Sequence, residues 1–199
     1  MSQRVVLASN NAGKLAELRD LLAPLGLNLV AQANLGIPEA EEPHPTFVEN
    51  SLAKARHAAR LSGLPAIADD SGLCVAALGG APGVKSARFA GDDNRATRDA
   101  SNNARLIMRL QDKVNRRAWF YCSMVFLRHA DDPQPLIGEG FWHGEIVTRP
   151  LGEHGFGYDP HFWLPELGCT AAQLDSATKN ALSHRAQATR QLIEQLKNA

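Results

Sequence analysis

Short apolar runs alternate with helix-forming segments along the first third of the chain, and this alternation limits the folds open to it. Residues 4–9 form an apolar run that predicts a buried strand. Leucines then recur at helical spacing until Pro24 and Gly26, which predict the end of a helix. Residues 27–32 predict a second strand. Strand, helix and strand in succession favour an α/β sheet.

The remaining segments extend this pattern and change it. Thr46 and Glu49 form a capping box that predicts a helix to about Ser62, with Gly63 as its terminator. Residues 94–112 predict another helix, and residues 183–197 predict a closing helix. Between them, residues 117–129 and 136–148 predict two strands that could pair as a hairpin. Alternation followed by a hairpin suggests a mixed sheet with helices on its faces. Two lobes with a cleft between them are compatible with this pattern.

Composition excludes several classes of protein. The 199 residues fit about one domain, and 21 basic residues balance 21 acidic ones, so no overall field favours nucleic acid or an anionic membrane. Three cysteines, Cys74, Cys122 and Cys169, lie far apart and fit a reduced, cytoplasmic compartment. The first apolar run is too short for a signal peptide, and no stretch approaches a membrane span.

Two adjacent acids, Asp69 and Asp70, lie between the apolar runs 65–67 and 73–78. The pattern predicts that one strand ends and another begins at the pair, where ligands of α/β sheets usually bind. Adjacent side chains of a strand point in different directions, so one acid could hold a metal while the other orients a ligand or water. The structural alternative is a turn or cap residue.

A strand-to-helix turn at residues 9–14 is a candidate phosphate site. Backbone N–H groups at a helix start suit an anion, Gly13 permits close approach, and Lys14 adds a positive charge. The spacing is not that of a Walker A motif. The alternative is a capped helix with a solvated lysine.

An acidic loop precedes the second helix and offers metal ligands. Glu42 with Asp70 would make a sparse magnesium site that substrate phosphate completes, since this ion often takes one or two carboxylates. A solvated loop that includes Glu41 is the alternative. Glu49 is explained by its capping box, and Lys54 is a lesser candidate for phosphate.

Two later segments could hold a flat ring. Glycines frame Phe156 in the run 155–160, so its ring could stack on a ligand while Asp159 accepts from a base N–H, although a tight turn with Phe156 in the core is an equal alternative. Lys179, His184 and Arg185 supply donors near the start of the last helix. Solvated surface residues are the alternative there.

In this order, the motifs resemble the non-standard purine nucleoside triphosphate pyrophosphatases, the inosine triphosphatase family. The matching segments cover about residues 5–190 and read SNNAGK, TFVENSLAKA, AIADDSGL, ALGGAPGVKSARFAG, GFGYDP and ALSHRAQA. Each is weak alone, whereas six in order are specific. The resemblance implies an elongated α/β fold with a long mixed sheet, two lobes in one domain over residues 1–199, and a substrate cleft. It also implies a homodimer.

The resemblance further implies magnesium-dependent hydrolysis of dITP, ITP and XTP to the monophosphate and pyrophosphate, which removes deaminated purines from the nucleotide pool. Glu42 and Asp70 match metal positions, and Asp70, aided by Asp69, matches the base for the attacking water. Ser71 matches a substrate contact. The triphosphate positions are Ser9, Asn10, Asn11, Ala12, Gly13 and Lys14, with Lys54 helping. The base positions are Phe156, Gly157, Tyr158, Asp159, Lys179, His184 and Arg185.

The chain departs from the family pattern at Ala177 and Thr178, where acids are usual, and at Ala186, where glycine is usual. These positions affect the rigidity of the base pocket rather than the reaction. Two other functions compete with the pyrophosphatase. One is a related enzyme acting on other modified bases, such as pyrimidines. The other is a non-catalytic nucleotide-binding regulator, which the acids and Lys14 argue against.

Overall fold

The computed structural model describes residues 3–92, 94 and 96–198. Its strands are β1 Arg4–Leu7, β2 Asn28–Ala31, β3 Ala66–Val75, β4 Arg117–Leu127, β5 Leu136–Ile146, β6 Phe162–Leu164 and β7 Cys169–Thr170. Its α-helices are α1 Ala12–Leu22, α2 Phe47–Ser62, α3 Arg98–Arg109, α4 Ser176–Leu182 and α5 His184–Lys197.

The seven strands form one mixed sheet in the order β2-β1-β3-β4-β5-β6-β7. β1 is parallel to β2 and to β3, whereas β6 is antiparallel to both β5 and β7. The predicted mixed sheet with flanking helices is therefore confirmed, and β4 and β5 are neighbours as the hairpin prediction requires.

The described chain divides into two compact units. Unit 1 contains the described residues up to Asp70, the segment Cys122–Gly140, and those from His184 onward. Unit 2 contains the described residues of Ser71–Tyr121 and Phe141–Ser183. The arrangement as one domain of two lobes with a cleft stays a prediction.

The core of unit 1 covers both faces of its strands. In β1, Val5 and Leu7 pack in a cluster with Leu18 and Leu22 of α1, and Val6 belongs to a second cluster. That second cluster contains three alanines of α2, which are Ala55, Ala58 and Ala59. Parallel strands buried on both faces give continuous apolar runs in the sequence, which is why residues 4–9 predicted a buried strand.

Helix α2 has the ends that its sequence predicted. Thr46 accepts a hydrogen bond from the Glu49 N–H, and its hydroxyl donates to the Glu49 carboxylate over 2.5 Å. Gly63 follows with a φ of 68°, a left-handed conformation that ends the helix at little cost for glycine. A capping side chain of this kind is worth about 1 kcal/mol. The Thr46 cap of the predicted capping box is thereby confirmed, and Glu49 contacts it through its carboxylate.

Helix α5 lies close against β5 because two glycines face it. A Cβ atom on Gly138 would collide with the Ala188 carbonyl, and one on Gly140 would collide with the His184 carbonyl. Between them, the Glu139 N–H donates to the Gln191 side chain over 3.0 Å. Close backbone approach here fixes the position at which α5 begins.

Unit 2 has its own core on the apolar side of α3. Leu106 and Leu110 pack with Phe120, Trp142 and Phe162 in one cluster. The rings of Phe120 and Phe162 lie 4.6 Å apart at a tilt of 57°, within the favourable range for aromatic pairs. The predicted apolar side of this helix is confirmed.

The prediction of a strand break at the acid pair is wrong. Asp69 and Asp70 lie inside one continuous strand, β3, and the strand runs on through Ser71 and Gly72. Gly72, two residues beyond the pair, allows close packing, since a Cβ atom there would collide with the Gly83 carbonyl and the Ser86 hydroxyl.

Three short elements were not predicted. The strands β6 and β7 have only three and two residues, too few to show a period of two in the sequence. The seven-residue helix α4 did carry a start signal, because Asp175 accepts from the Thr178 N–H over 2.7 Å. Lys179 therefore belongs to α4 rather than to the closing helix.

Candidate active site

The acid pair lies on the strand between β1 and β4, and both carboxylates are withdrawn from solvent. Asp69 is 2% exposed and Asp70 is 5% exposed. Buried carboxylates are costly unless charges or hydrogen bonds compensate them, so their partners define what the pair can do.

Asp69 is surrounded by cations. Its Oδ2 lies 3.0 Å from the Lys14 ammonium and 3.4 Å from Nε of Arg185. Burial alone would raise the pKa of the Asp69 carboxyl, but the charges of Lys14, Arg185 and Lys54 lower it well below its usual range. Asp69 is therefore an ionised anchor for these cations.

Asp70 has a different environment. Its Oδ2 accepts a hydrogen bond from the Asn50 amide over 3.1 Å, and its Oδ1 lies 3.6 Å from the Lys54 ammonium. Burial raises the pKa of Asp70 and outweighs the lowering by Lys54 and Lys14. Nearby Glu42 raises this pKa further. A carboxylate with a raised pKa is a better proton acceptor than an ordinary one.

The two neighbouring carboxylates thus differ in chemistry although they share a strand. Opposed pKa shifts in adjacent acids separate an ionised group from one that can take a proton. The geometry favours Asp70 as a base and Asp69 as the residue that positions Lys14.

Glu42 and Asp70 converge on the same cation. The Lys54 ammonium lies 2.5 Å from Glu42 Oε1 and 3.6 Å from Asp70 Oδ1. Burial lowers the pKa of Lys54, but Asp70, Asp69 and Glu42 raise it above its usual value. Hard carboxylate oxygens that converge on one positive charge are a donor set that suits magnesium.

The described residues offer few further protein ligands for a metal ion. Among residues 3–92, 94 and 96–198, no three His, Cys, Asp or Glu side chains gather in a way that could hold a metal ion. An ion held by Glu42 and Asp70 would therefore need further oxygens from water or from a bound phosphate.

The strand-to-helix turn is capped, as the structural alternative expected, but Lys14 pairs with Asp69 rather than being solvated, and the phosphate site stays a prediction. Asn11 caps α1 by accepting from the Lys14 N–H over 3.1 Å, and the Ser9 hydroxyl accepts from the Asn11 N–H over 3.2 Å. Asn10 accepts from the Gln32 amide. Ala12 and Gly13 form the first turn of α1, where helical N–H groups suit an anion.

Arg185 is fixed by two acids rather than solvated. Its guanidinium pairs with Glu17 of α1 and with Asp69, and Arg185 is 2% exposed. His184 is also buried, at the first position of α5. The surface alternative considered for these two residues is therefore wrong, whereas their role in base recognition stays a prediction.

The loop of unit 2 is built around one buried ion pair. Asp159 Oδ2 accepts from the Phe156 N–H over 3.0 Å and lies 2.7 Å from the Lys179 ammonium. That ammonium also lies 4.8 Å from the centre of the Phe156 ring. Gly155 has a φ of 76°, and a Cβ atom there would collide with the Asp159 carboxylate.

The aromatic residues of this loop have separate environments. Phe156 is only partly buried, whereas Tyr158 is 4% exposed in the core of unit 2 and donates to the Ser86 carbonyl over 2.9 Å. Burial raises the pKa of Tyr158, so its hydroxyl stays protonated. A partly exposed ring held by a cation is available to a planar ligand.

The remaining predicted contacts and the departures from the family pattern have the following places in the fold. Ser71 continues β3 beyond the acids and is partly buried, and Gly157 has a φ of 63°. Ala177 and Thr178 form the first turn of α4, whereas Ala186 is fully buried in α5.

Sequence reasoning missed two polar partners of the site. Asn50 donates to Asp70, and Glu17 pairs with Arg185. Glu17 follows Lys14 by three positions, so the two share a face of α1, and that spacing was the available signal. Asn50 lies within the TFVENSLAKA segment, but no local pattern indicated its bond to Asp70.

A mixed sheet that buries two carboxylates beside two lysines and an arginine defines an α/β protein with a site for charged ligands. Residues 5–195 match the sequence profile of the Ham1 family, and the chain belongs to this family.

Curated relatives are similar over almost the whole chain. A dITP/XTP pyrophosphatase of Bordetella pertussis is 64% identical over 195 residues, which are 98% of this chain and 92% of the relative. One from Aromatoleum aromaticum is 63% identical over 199 residues, 100% of this chain and 99% of the relative.

Solved structures share the fold as well. A HAM1 protein from Coxiella burnetii has a TM-score of 0.91 at 47% identity and covers 99% of this chain and 100% of its own. The Staphylococcus aureus Ham1 protein has a TM-score of 0.86 at 36% identity, over 98% of this chain and 99% of its own.

Proposed function

We propose that this chain hydrolyses dITP, ITP and XTP to the nucleoside monophosphate and pyrophosphate, and so removes deaminated purines from the nucleotide pool. The observation that carries the proposal is the buried acid pair, whose Asp69 holds Lys14 at 3.0 Å while Asp70 has a raised pKa. Relatives named dITP/XTP pyrophosphatase support the choice of substrate.

Magnesium is the proposed metal, and Glu42 with Asp70 would hold it. When bound, the ion would neutralise charge on the phosphate oxygens in the transition state. Three cations and four carboxylates meet in this cluster, Lys14, Lys54 and Arg185 against Glu17, Glu42, Asp69 and Asp70. The excess of one negative charge favours an added cation.

Asp70 is the proposed general base. Its buried carboxylate, which the Asn50 amide orients, would take a proton from the water that attacks the α-phosphorus. Lys14, with Lys54 and the N-terminus of α1 from Ser9 to Gly13, would hold the triphosphate and stabilise the departing pyrophosphate. Asp69 keeps the Lys14 ammonium in place for this task.

The loop of unit 2 is the proposed site for the base. Phe156 would stack on the purine, and Gly157, Tyr158, Asp159 and Lys179 would shape and charge its surroundings. Ser71, His184 and Arg185 are proposed as further substrate contacts. Donors that pair with a 6-oxo group would be left unpaired by the amino group of adenine, at about 1–3 kcal/mol for each buried group.

Three related expectations belong to the same proposal. The enzyme is a cytoplasmic homodimer that uses neither nucleic acid nor a membrane as partner. The free thiols of Cys74, Cys122 and Cys169 fit a reducing compartment. Within the described part of the chain, no helix is both long and apolar enough to cross a bilayer.

The direct experiment measures pyrophosphate release from ITP with and without magnesium, on a panel that includes XTP, GTP and a modified dTTP. We expect release from ITP and XTP that needs the divalent ion and exceeds release from GTP. Faster turnover of the modified dTTP would instead indicate an enzyme for altered pyrimidines. Tight ITP binding without release would indicate a regulator, and orthophosphate as the first product would overturn the proposed cleavage.

A further inference from the structure

Two side chains of α3 hold one residue of the base loop, Gly157. The Asp99 carboxylate accepts a hydrogen bond from the Gly157 N–H over 2.8 Å, and the Asn103 amide donates to the Gly157 carbonyl over 2.9 Å. Neither residue belongs to the motifs that suggested the function. Both polar groups of Gly157 are thereby bonded to the same helix.

The spacing of Asp99 and Asn103 explains why both can bond to Gly157. Positions four apart lie on one face of a helix, so Asp99 and Asn103 present an acceptor and a donor to the same segment. Asp99 also lies in the first turn of α3, where the helix dipole favours a carboxylate. Gly157 has a φ of 63°, which only a glycine adopts at little cost, and the two bonds hold the loop in this conformation.

The residues on either side of Gly157 are held as well. The Phe156 N–H is bonded to Asp159, and the Tyr158 hydroxyl donates to the Ser86 carbonyl over 2.9 Å. Asn102 donates to the same carbonyl over 3.2 Å and so fixes that acceptor. Three successive residues therefore have separate anchors, and the anchor of the middle one comes from α3.

From this arrangement we infer that Asp99 and Asn103 are positioning residues for base recognition. They do not touch the substrate, and they act by holding Gly157, the residue next to Phe156, which fixes the position and tilt of the Phe156 ring. The inference rests on the proposed function, since it takes this loop as the base site. Loosening the loop lowers affinity for the base without altering the groups that act on the phosphates.

The test compares three variants of the full chain with a matched control. Asp99→Ala removes the acceptor, and Asn103→Asp keeps the shape but replaces the donor by an acceptor. Asp99→Asn keeps an acceptor oxygen and is the conservative rescue. Arg109→Ala, an exposed change on the same helix, is the control. Each is assayed for pyrophosphate release from ITP and GTP, and for inhibition by IMP and by inorganic tripolyphosphate.

We expect Asp99→Ala and Asn103→Asp to raise the KM for ITP and the inhibition constant of IMP by about 5- to 10-fold, as expected for one lost hydrogen bond to a charged or polar partner. The ratio of kcat/KM for ITP over GTP should fall, with kcat for ITP kept, since uniform binding is lost rather than transition-state stabilisation. Inhibition by tripolyphosphate should change less than about 2-fold because this ligand has no base. Asp99→Asn and Arg109→Ala should behave as the parent chain.

The outcomes separate two failures. A parent chain that releases no pyrophosphate from ITP overturns the proposed function. An active parent whose Asp99→Ala and Asn103→Asp variants keep the KM, the IMP inhibition and the base selectivity overturns the inference alone. Equal weakening of IMP and tripolyphosphate also overturns it, because that result indicates general damage to the fold. Should Asp99→Ala fail to fold, Asn103→Asp alone decides.

Discussion

The two units differ in how they use buried charge. Unit 1 gathers five charged side chains around Asp69 and Asp70 and packs apolar clusters on both faces of its strands. Unit 2 has one buried ion pair in its loop, Asp159 with Lys179, beside a partly exposed phenyl ring. A dense cluster suits phosphates and a divalent ion, whereas a sparse one lets stacking and a few hydrogen bonds discriminate between bases.

The largest expected effect tests the role of Asp70 in unit 1. Asp70→Asn removes a proton acceptor and a charged ligand while it keeps the shape of the side chain. We expect kcat for ITP to fall by about 10³-fold or more, measured as pyrophosphate release. The melting temperature should stay within about 2 °C, because Lys54 keeps its ion pair with Glu42 and the new amide oxygen can still accept from Asn50. Turnover near that of the parent would remove Asp70 from the mechanism.

The neighbouring substitution should act on stability. Asp69→Asn leaves Lys14 and Arg185 buried without the charge that compensates them. We expect the free energy of unfolding to fall by about 3 kcal/mol, measured by urea denaturation, with Asp70→Asn as the matched control. Equal stability of the two variants would contradict the opposed environments of the acids.

The same pair predicts a dependence on pH. A carboxyl whose pKa is lowered in the folded state stabilises the protein above its unfolded pKa of about 4 and loses that contribution as the pH falls. The stability difference between the parent and Asp69→Asn should therefore shrink below about pH 4. Denaturation curves at pH 7 and pH 3.5 measure it, and a difference that grows in acid would contradict the assignment.

A smaller effect is expected at the start of α1. Lys14→Ala removes the ammonium proposed to hold the triphosphate and should raise the KM for ITP by about 10- to 100-fold. The inhibition constant of tripolyphosphate should rise in parallel. Arg19→Ala removes an exposed cation from the same helix and is the control. Unchanged steady-state constants for Lys14→Ala would contradict its role.

The smallest effect should come from unit 2. Lys179→Met keeps most of the apolar stem but removes the partner of Asp159 and the cation over Phe156. We expect the KM for ITP to rise about 5- to 10-fold with little change in kcat, and tripolyphosphate inhibition to stay as in the parent. If tripolyphosphate weakened as much as ITP, the division of labour between the units would be wrong.

The sequence predicted the elements whose signals are local. The capping box of Thr46 and Glu49 gave the start of α2, and helical spacing gave the apolar side of α3 at Leu106 and Leu110. It failed at β3, where two carboxylates between apolar runs suggested a break but lie inside one strand, because Lys14, Lys54 and Arg185 compensate their charges. Local pattern does not show such partners, which come from other elements of the fold.

The candidate site shows the same limit. The motifs identified Lys14, Asp69 and Asp70 as residue types suited to the chemistry, but not which acid each cation would pair with. The pairing of Arg185 with Glu17 joins residues 168 positions apart, and no local pattern encodes such a contact. Opposed pKa shifts of neighbouring acids likewise follow from tertiary packing.

Gly138 and Gly140 fix which face of β5 lies against α5. Only alternate positions lack a side chain, and these are the ones that meet the backbone of α5. A single residue inserted ahead of Gly138 would exchange the two faces of the strand and turn a glutamate or an isoleucine toward that helix. An insertion is therefore better tolerated in the connection before Leu136 than inside β5, and the lack of a side chain at these two positions sets how closely the start of α5, which carries Arg185, lies to the strand.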